Sequence, residues 1–144
     1  MKAHGFRKSG PTWHRDCDRM IQVLNIQKSQ WGDQFYINLG IYLKDLGSEV
    51  RPTEYRCHVR CRVEQLLDGE DFSNFNRLLN FDELAPLASR YKELRSLVAQ
   101  SALAWLDTNS TKDALAITLK RGGTKGFFIM VGVAECLGIE TFPK

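Results

Sequence analysis

Between residues 35 and 43 the chain alternates strictly, with Phe35, Ile37, Leu39, Ile41 and Leu43 on one side and Tyr36, Asn38, Gly40 and Tyr42 on the other. A period of two marks a strand with one buried face. The same period runs through EYRCHVRCRV, residues 54–63. There Tyr55, Cys57, Val59, Cys61 and Val63 form the apolar side, and Arg56, His58, Arg60 and Arg62 the basic one. Residues 20–29, MIQVLNIQKS, are apolar on both sides in their first half, as in a central strand covered on both faces. PTWHRDC, after Gly10-Pro11, predicts a short strand ahead of it. WGD at 31–33 predicts a turn, and DLGSEVRPTE a connection in which Pro52 blocks ladder pairing.

From residue 83 the period changes. Leu84, Leu87, Tyr91, Leu94, Val98, Ala102 and Trp105 recur at spacings of three and four, which predicts an amphipathic helix over 83–107. Asp82 is its expected N-cap, and Pro86 sits early enough to be tolerated. STKD at 110–113 resembles a capping box with Asp113 in the Glu position, opening a helix that Gly122-Gly123 ends. Residues 70–81 read as a polar loop with room for one helical turn. The final apolar run, residues 125–137, has the β-branched content of a strand and the length of a helix; we read it as a helix. Strands followed by helices predict an α+β fold, with an antiparallel sheet of about four strands packed against C-terminal helices.

Composition narrows the function classes. At 144 residues the chain is expected to form a single domain, residues 1–144, with strands over about 12–65 and helices over about 83–138. Its net charge of +3 falls short of a dedicated nucleic-acid domain. Four scattered cysteines do not make a secreted disulfide framework. No apolar run reaches membrane-helix length, and the start has no signal-peptide core, so a cytoplasmic setting is expected.

The segments GFRKSGPTWHR, IQVLNIQKSQW and FYINLGIYL together resemble a bacterial family of unknown function, number 4304. The resemblance covers about the first 65 residues well and the helical remainder loosely. It implies no activity, cofactor or site residues. It does imply a helix leading into the GF opening, of which only MKAHGF is present here. Without that helix, a sheet face is expected to stay open to solvent or to a partner.

Few residues look like chemistry. Cys57 and Cys61 have a spacing seen in zinc sites, but four strand residues span about 13 Å, too far for one metal. His14 and Cys17 are a weaker pair, and no metal or cofactor is expected. Cys57 and His58 are adjacent, so on a strand they face opposite ways and cannot act together. RGGTKG at 121–126 lacks P-loop spacing, and a helix end followed by a turn explains its glycines.

The polar sheet face carries more. Arg56, His58, Arg60 and Arg62 are expected beside Tyr36, Asn38 and Tyr42, with Asn25 and Gln27 joining them and Trp13 and Arg15 nearby. Like charges on one strand repel unless something negative answers them. Either the acidic residues Glu64, Asp68, Glu70 and Asp71 fold back to neutralise a solvated face, or a partner does. The second alternative predicts a non-enzymatic binding module for an acidic protein surface, by analogy an immunity or accessory protein that occludes a toxin or effector domain. Two alternatives use the same face: a small-anion or hydrolytic pocket built on Asn25, Asn38, Tyr42 and His58, and nonspecific RNA binding. The helix stripe is expected to be core.

Overall fold

The computed structural model describes residues 1–81 and 87–140, without the side chains of residues 87 and 88. Six strands follow one another across a single antiparallel sheet, in the order β1 (Arg7–Ser9), β2 (Thr12–Cys17), β3 (Met20–Lys28), β4 (Phe35–Leu43), β5 (Val59–Arg62) and β6 (Phe128–Ile129). The fold is α+β as predicted, with two more strands than about four. Both extra strands are short edge strands, two or three residues long, which leave little periodic signal.

The helices are α1 (Gly69–Leu79), α2 (Leu87–Val98), α3 (Ala104–Thr108), α4 (Lys112–Arg121) and α5 (Val133–Leu137). A π turn over Ala99–Leu103 joins α2 to α3 in one continuous helical run. Residues 70–81 are therefore mostly helix rather than loop. Phe75, Leu78 and Leu79 give α1 its buried stripe, although polar residues dilute the pattern. The final run is split: β6 pairs with β5, then Gly132 at φ 98° turns the chain into α5. Thr111 caps α4 one residue beyond the start of the predicted box, its Oγ1 accepting from Ala114 N at 3.1 Å. The expected N-cap Asp82, Leu84 of the predicted stripe and Pro86 lie outside the described residues, as does the side chain of Leu87.

The helices cover one face of the sheet. Phe6, Leu24, Ile37, Leu39, Cys61 and Val63 pack with Phe75, Leu79, Ala102, Leu103 and Leu106. A second cluster joins Met20, Ile41, Leu43 and Val59 to Leu115, Leu119 and Val133. Ala102 and, less completely, Leu94, Val98 and Trp105 face this core, whereas Tyr91 is 56 % exposed and leaves the predicted stripe.

Trp13 and Arg15 also lie on the helix side, not on the polar face. Trp13 pairs with Leu24 and packs against the first cluster. Arg15 lies over the Phe6 ring, with Nη2 2.8 Å from Asp107, and its Nε donates to Gln22 Oε1 at 2.9 Å. Gln22 is fully buried, and its amide donates to Leu106 O at 2.5 Å and Asn109 O at 3.1 Å. These are carbonyls at the C-terminal end of the long helix, which have no intrahelical partner. One glutamine thus ties the sheet to the helix end.

Candidate functional site

The opposite, outer face of the sheet holds the residues singled out for binding except Arg56, which lies in the turn above it, and divides them. Its register brings Thr12, Asn25, Asn38 and Arg62 into one cross-strand row. Asn25 Nδ2 donates to Thr12 Oγ1 at 3.0 Å, while Asn38 Nδ2 donates to Asn25 Oδ1 at 3.3 Å and Gln27 Oε1 at 3.0 Å. Asn38 is buried, and the amides satisfy one another as a buried polar group requires.

At the β5 end of this row, Arg62 lies over the Tyr36 ring, its Cζ 4.3 Å from the centroid. Arg60, two residues back on the same face, lies over Phe128 at 4.1 Å. A guanidinium over the face of a ring still has N–H groups for contact with a carboxylate or phosphate. Neither arginine forms an ion pair within 4.0 Å among the described residues. Arg60 Nε is buried without a hydrogen-bond partner there. Together with Gln27, Asn38, Gln65 and Phe128 they line an open cleft of about 410 Å³. Gln65 fixes its far side, accepting from Arg62 N at 2.8 Å and donating to Gly126 O at 2.7 Å.

The nearest answering charges are not those expected from Asp68, Glu70 and Asp71, which sit where helix α1 begins. Glu54 lines the cleft instead. Burial raises its carboxyl pKa, and the charges of Arg60 and Arg62 oppose that shift. Glu64 is raised chiefly by burial too, with Arg62 again opposing.

The rest of the predicted face is roofed. The β4–β5 connection folds back over the sheet through short 3-10 turns at Lys44–Leu46 and Glu54–Arg56, so the strand predicted for residues 54–63 starts only at Val59. Tyr55 is consequently exposed, not core. Cys57 leaves the helix-side face and sits on Gly40, in a small cluster with Ile21, Val23 and Tyr42. A Cβ at Gly40 would stand 2.7 Å from Cys57 Sγ, so only glycine lets the roof close there. His14 donates from Nε2 to Pro52 O at 2.7 Å. Burial pushes both the Cys57 and Cys61 thiols well above their ordinary value.

Tyr42 and His58 therefore lie beneath the roof, 4 % and 5 % exposed, with ring centroids 4.5 Å apart. Arg56 is not part of a basic stripe either, because its Nη2 is 2.7 Å from Glu49 Oε1. Of nine predicted residues, Asn25, Gln27, Tyr36, Asn38, Arg60 and Arg62 come together, and Tyr42, Arg56 and His58 stand apart. Phe128, Glu54 and Gln65 complete the cleft but were missed in the sequence, since they reach it from other segments.

The family model described as "Domain of unknown function (DUF4304)" matches residues 1–108. The chain belongs to this family. The matched span holds the amide row, both cleft arginines and the roof, whereas Phe128 lies beyond it. No curated protein and no solved structure matches the chain. No His, Cys, Asp and Glu cluster suited to a metal occurs among the described residues, and no described helix is long and apolar enough to cross a membrane.

Proposed function

We propose that this member of the family is a non-enzymatic binding protein that uses the arginine cleft to engage an acidic macromolecular partner, foremost an acidic protein surface. The observation that carries the reading is the pair Arg60 and Arg62, each stacked on a ring and neither ion-paired among the described residues. Two pre-oriented guanidiniums beside Asn38 and Gln27 suit carboxylates, which accept bidentately, better than a plain solvated face requires. Glu54 offsets part of the charge and disfavours partners that carry only scattered acidity. The reading includes an immunity or accessory role in a bacterial cytoplasm. Four free cysteines, two of them buried, fit that reducing setting.

The test is capture from a lysate of the source organism by the wild type and by the Arg60→Glu, Arg62→Glu double variant, at low and physiological salt. The expected result is a discrete acidic protein held at physiological salt by the wild type, with affinity reduced more than about tenfold in the variant. Equal retention by both proteins would remove the reading. Nucleic acid alone, released by salt, would replace it with nonspecific RNA binding.

A further inference from the structure

A second cleft, of about 620 Å³, opens at the other end of the outer face. The turn Glu54–Arg56 stands between the two: Glu54 lines the arginine cleft, while Tyr55 and Arg56 line this one. Its volume lies within the range of small-molecule sites.

His58 and Tyr42 are the buried residues of its lining. Leu43 N–H donates to His58 Nδ1 at 2.9 Å, so Nδ1 carries no proton and the neutral ring holds it on Nε2. Burial lowers the His58 pKa, which keeps the ring neutral at pH 7. Among the described residues Nε2–H has no acceptor. With one ring edge on the Leu43 backbone, the Nε2 edge is the one left to face the cleft that the ring lines. Although the residue is buried, Nε2 itself keeps contact with solvent, where a water or a ligand oxygen can accept its proton. Tyr42 Oη accepts from Glu49 N at 3.1 Å, which leaves its own O–H to donate. Two donors therefore await an acceptor.

The walls have the opposite character. Leu46, Tyr55 and Met130 line the cleft and are 37 %, 67 % and 36 % exposed, large apolar groups gathered around a polar floor. Charge is balanced at the rim, where Arg56 Nε also donates to Glu49 Oε1 at 2.8 Å. An occupant is thus asked for an oxygen acceptor and an apolar, ring-sized body, but not for a full charge.

We infer that this cleft is a site for a small aryl carbonyl compound, its oxygen accepting from His58 Nε2–H and Tyr42 O–H and its ring lying against Leu46, Tyr55 and Met130. The site is separate from the arginine cleft and does not depend on the reading given to it. Carbonyl and carboxylate oxygens share the chemistry, and benzamide and benzoate distinguish them.

The test follows the His58 imidazole nitrogens and the Leu43 amide by NMR while benzoate, benzamide or benzylamine is added to the full chain. Saturable shifts are expected with benzamide, benzoate or both, at a Kd on the order of 1 mM for so small a probe. Benzylamine, which offers no acceptor, is expected to shift neither group. His58→Asn keeps an acceptor for Leu43 N–H but loses the Nε2 donor, and should weaken the probe about tenfold. Tyr55→Ala, an exposed position whose loss spares the core, should weaken it as well, whereas the Arg60→Glu, Arg62→Glu variant should bind as the wild type does. No saturable shift with either carbonyl probe would overturn the inference, as would equal binding by the wild type, His58→Asn and Tyr55→Ala.

Discussion

The two ends of the outer sheet face start from the same alternation of polar side chains and finish in different chemistry. At the arginine end, Arg60 and Arg62 lie on aromatic rings over an open cleft, and the amides of Asn25, Gln27 and Asn38 satisfy one another. At the histidine end, the connection between β4 and β5 covers the sheet, so Tyr42 and His58 are buried and Cys57 packs on Gly40. A guanidinium can remain charged and useful on a bare surface. An imidazole under a roof is kept neutral by burial and fixed in one tautomer by the backbone N–H that Nδ1 accepts. The contrast teaches that a polar strand face acquires its chemistry from what covers it.

Gly40→Val should have the largest effect on the histidine end. Its side chain would collide with Cys57 at the point where the roof touches the sheet, costing about 1–3 kcal/mol of stability. Urea unfolding would measure this, and adding Cys57→Gly should recover part of the loss. An unchanged midpoint would mean that the roof lifts freely. Native-state thiol labelling gives an independent check. Cys57 and Cys61, buried and held protonated, should react far more slowly than the half-buried Cys136, and Gly40→Val should speed labelling of Cys57 alone.

His58→Leu comes next, because it leaves the buried Leu43 N–H without an acceptor, at a cost of about 1–3 kcal/mol. His58→Asn should cost less, since its amide oxygen can replace Nδ1. A similar loss in both variants would show that packing, not the hydrogen bond, governs this site.

Acid should sharpen the same point. The His58 pKa is lowered on folding from its ordinary 6.5, so the unfolded chain takes up the proton first as pH falls. The native state then loses stability from about 6.5 down to the folded value, at most about 1.4 kcal/mol per pH unit for one group. Above 6.5 both states are neutral and the contribution is flat. In His58→Asn this component should vanish from the pH dependence of urea unfolding.

The arginine end should respond least in stability. Arg62→Met removes a stacking contact of about 0.5–1 kcal/mol at an exposed position and no ion pair among the described residues. If it instead cost as much as His58→Leu, the arginine end would be a structural network and not a binding surface.

Legible in the sequence alone were the alternation of β4, the two-sided burial of the first half of β3 and the helical character of the described part of 87–107. These rest on period and local propensity, which a single strand or helix carries within itself. It also placed Asn25, Gln27, Tyr36, Asn38, Arg60 and Arg62 on one face, since that needs only neighbouring strands in register. The reading failed where a segment is shaped by something distant. Tyr55 and Cys57 continue the period of β5 in sequence, yet the turn Glu54–Arg56 takes them out of the strand because the connection closes on Gly40. Residues 128–129 form a strand because β5 offers them an edge, and a two-residue pairing has no period to detect. Arg56 met Glu49, and Trp13 and Arg15 went to the helix side, through register and loop closure that no local window contains. Which half of one polar face is roofed depends on the folded chain, because burial is a property of what folds back over a residue rather than of the residue itself.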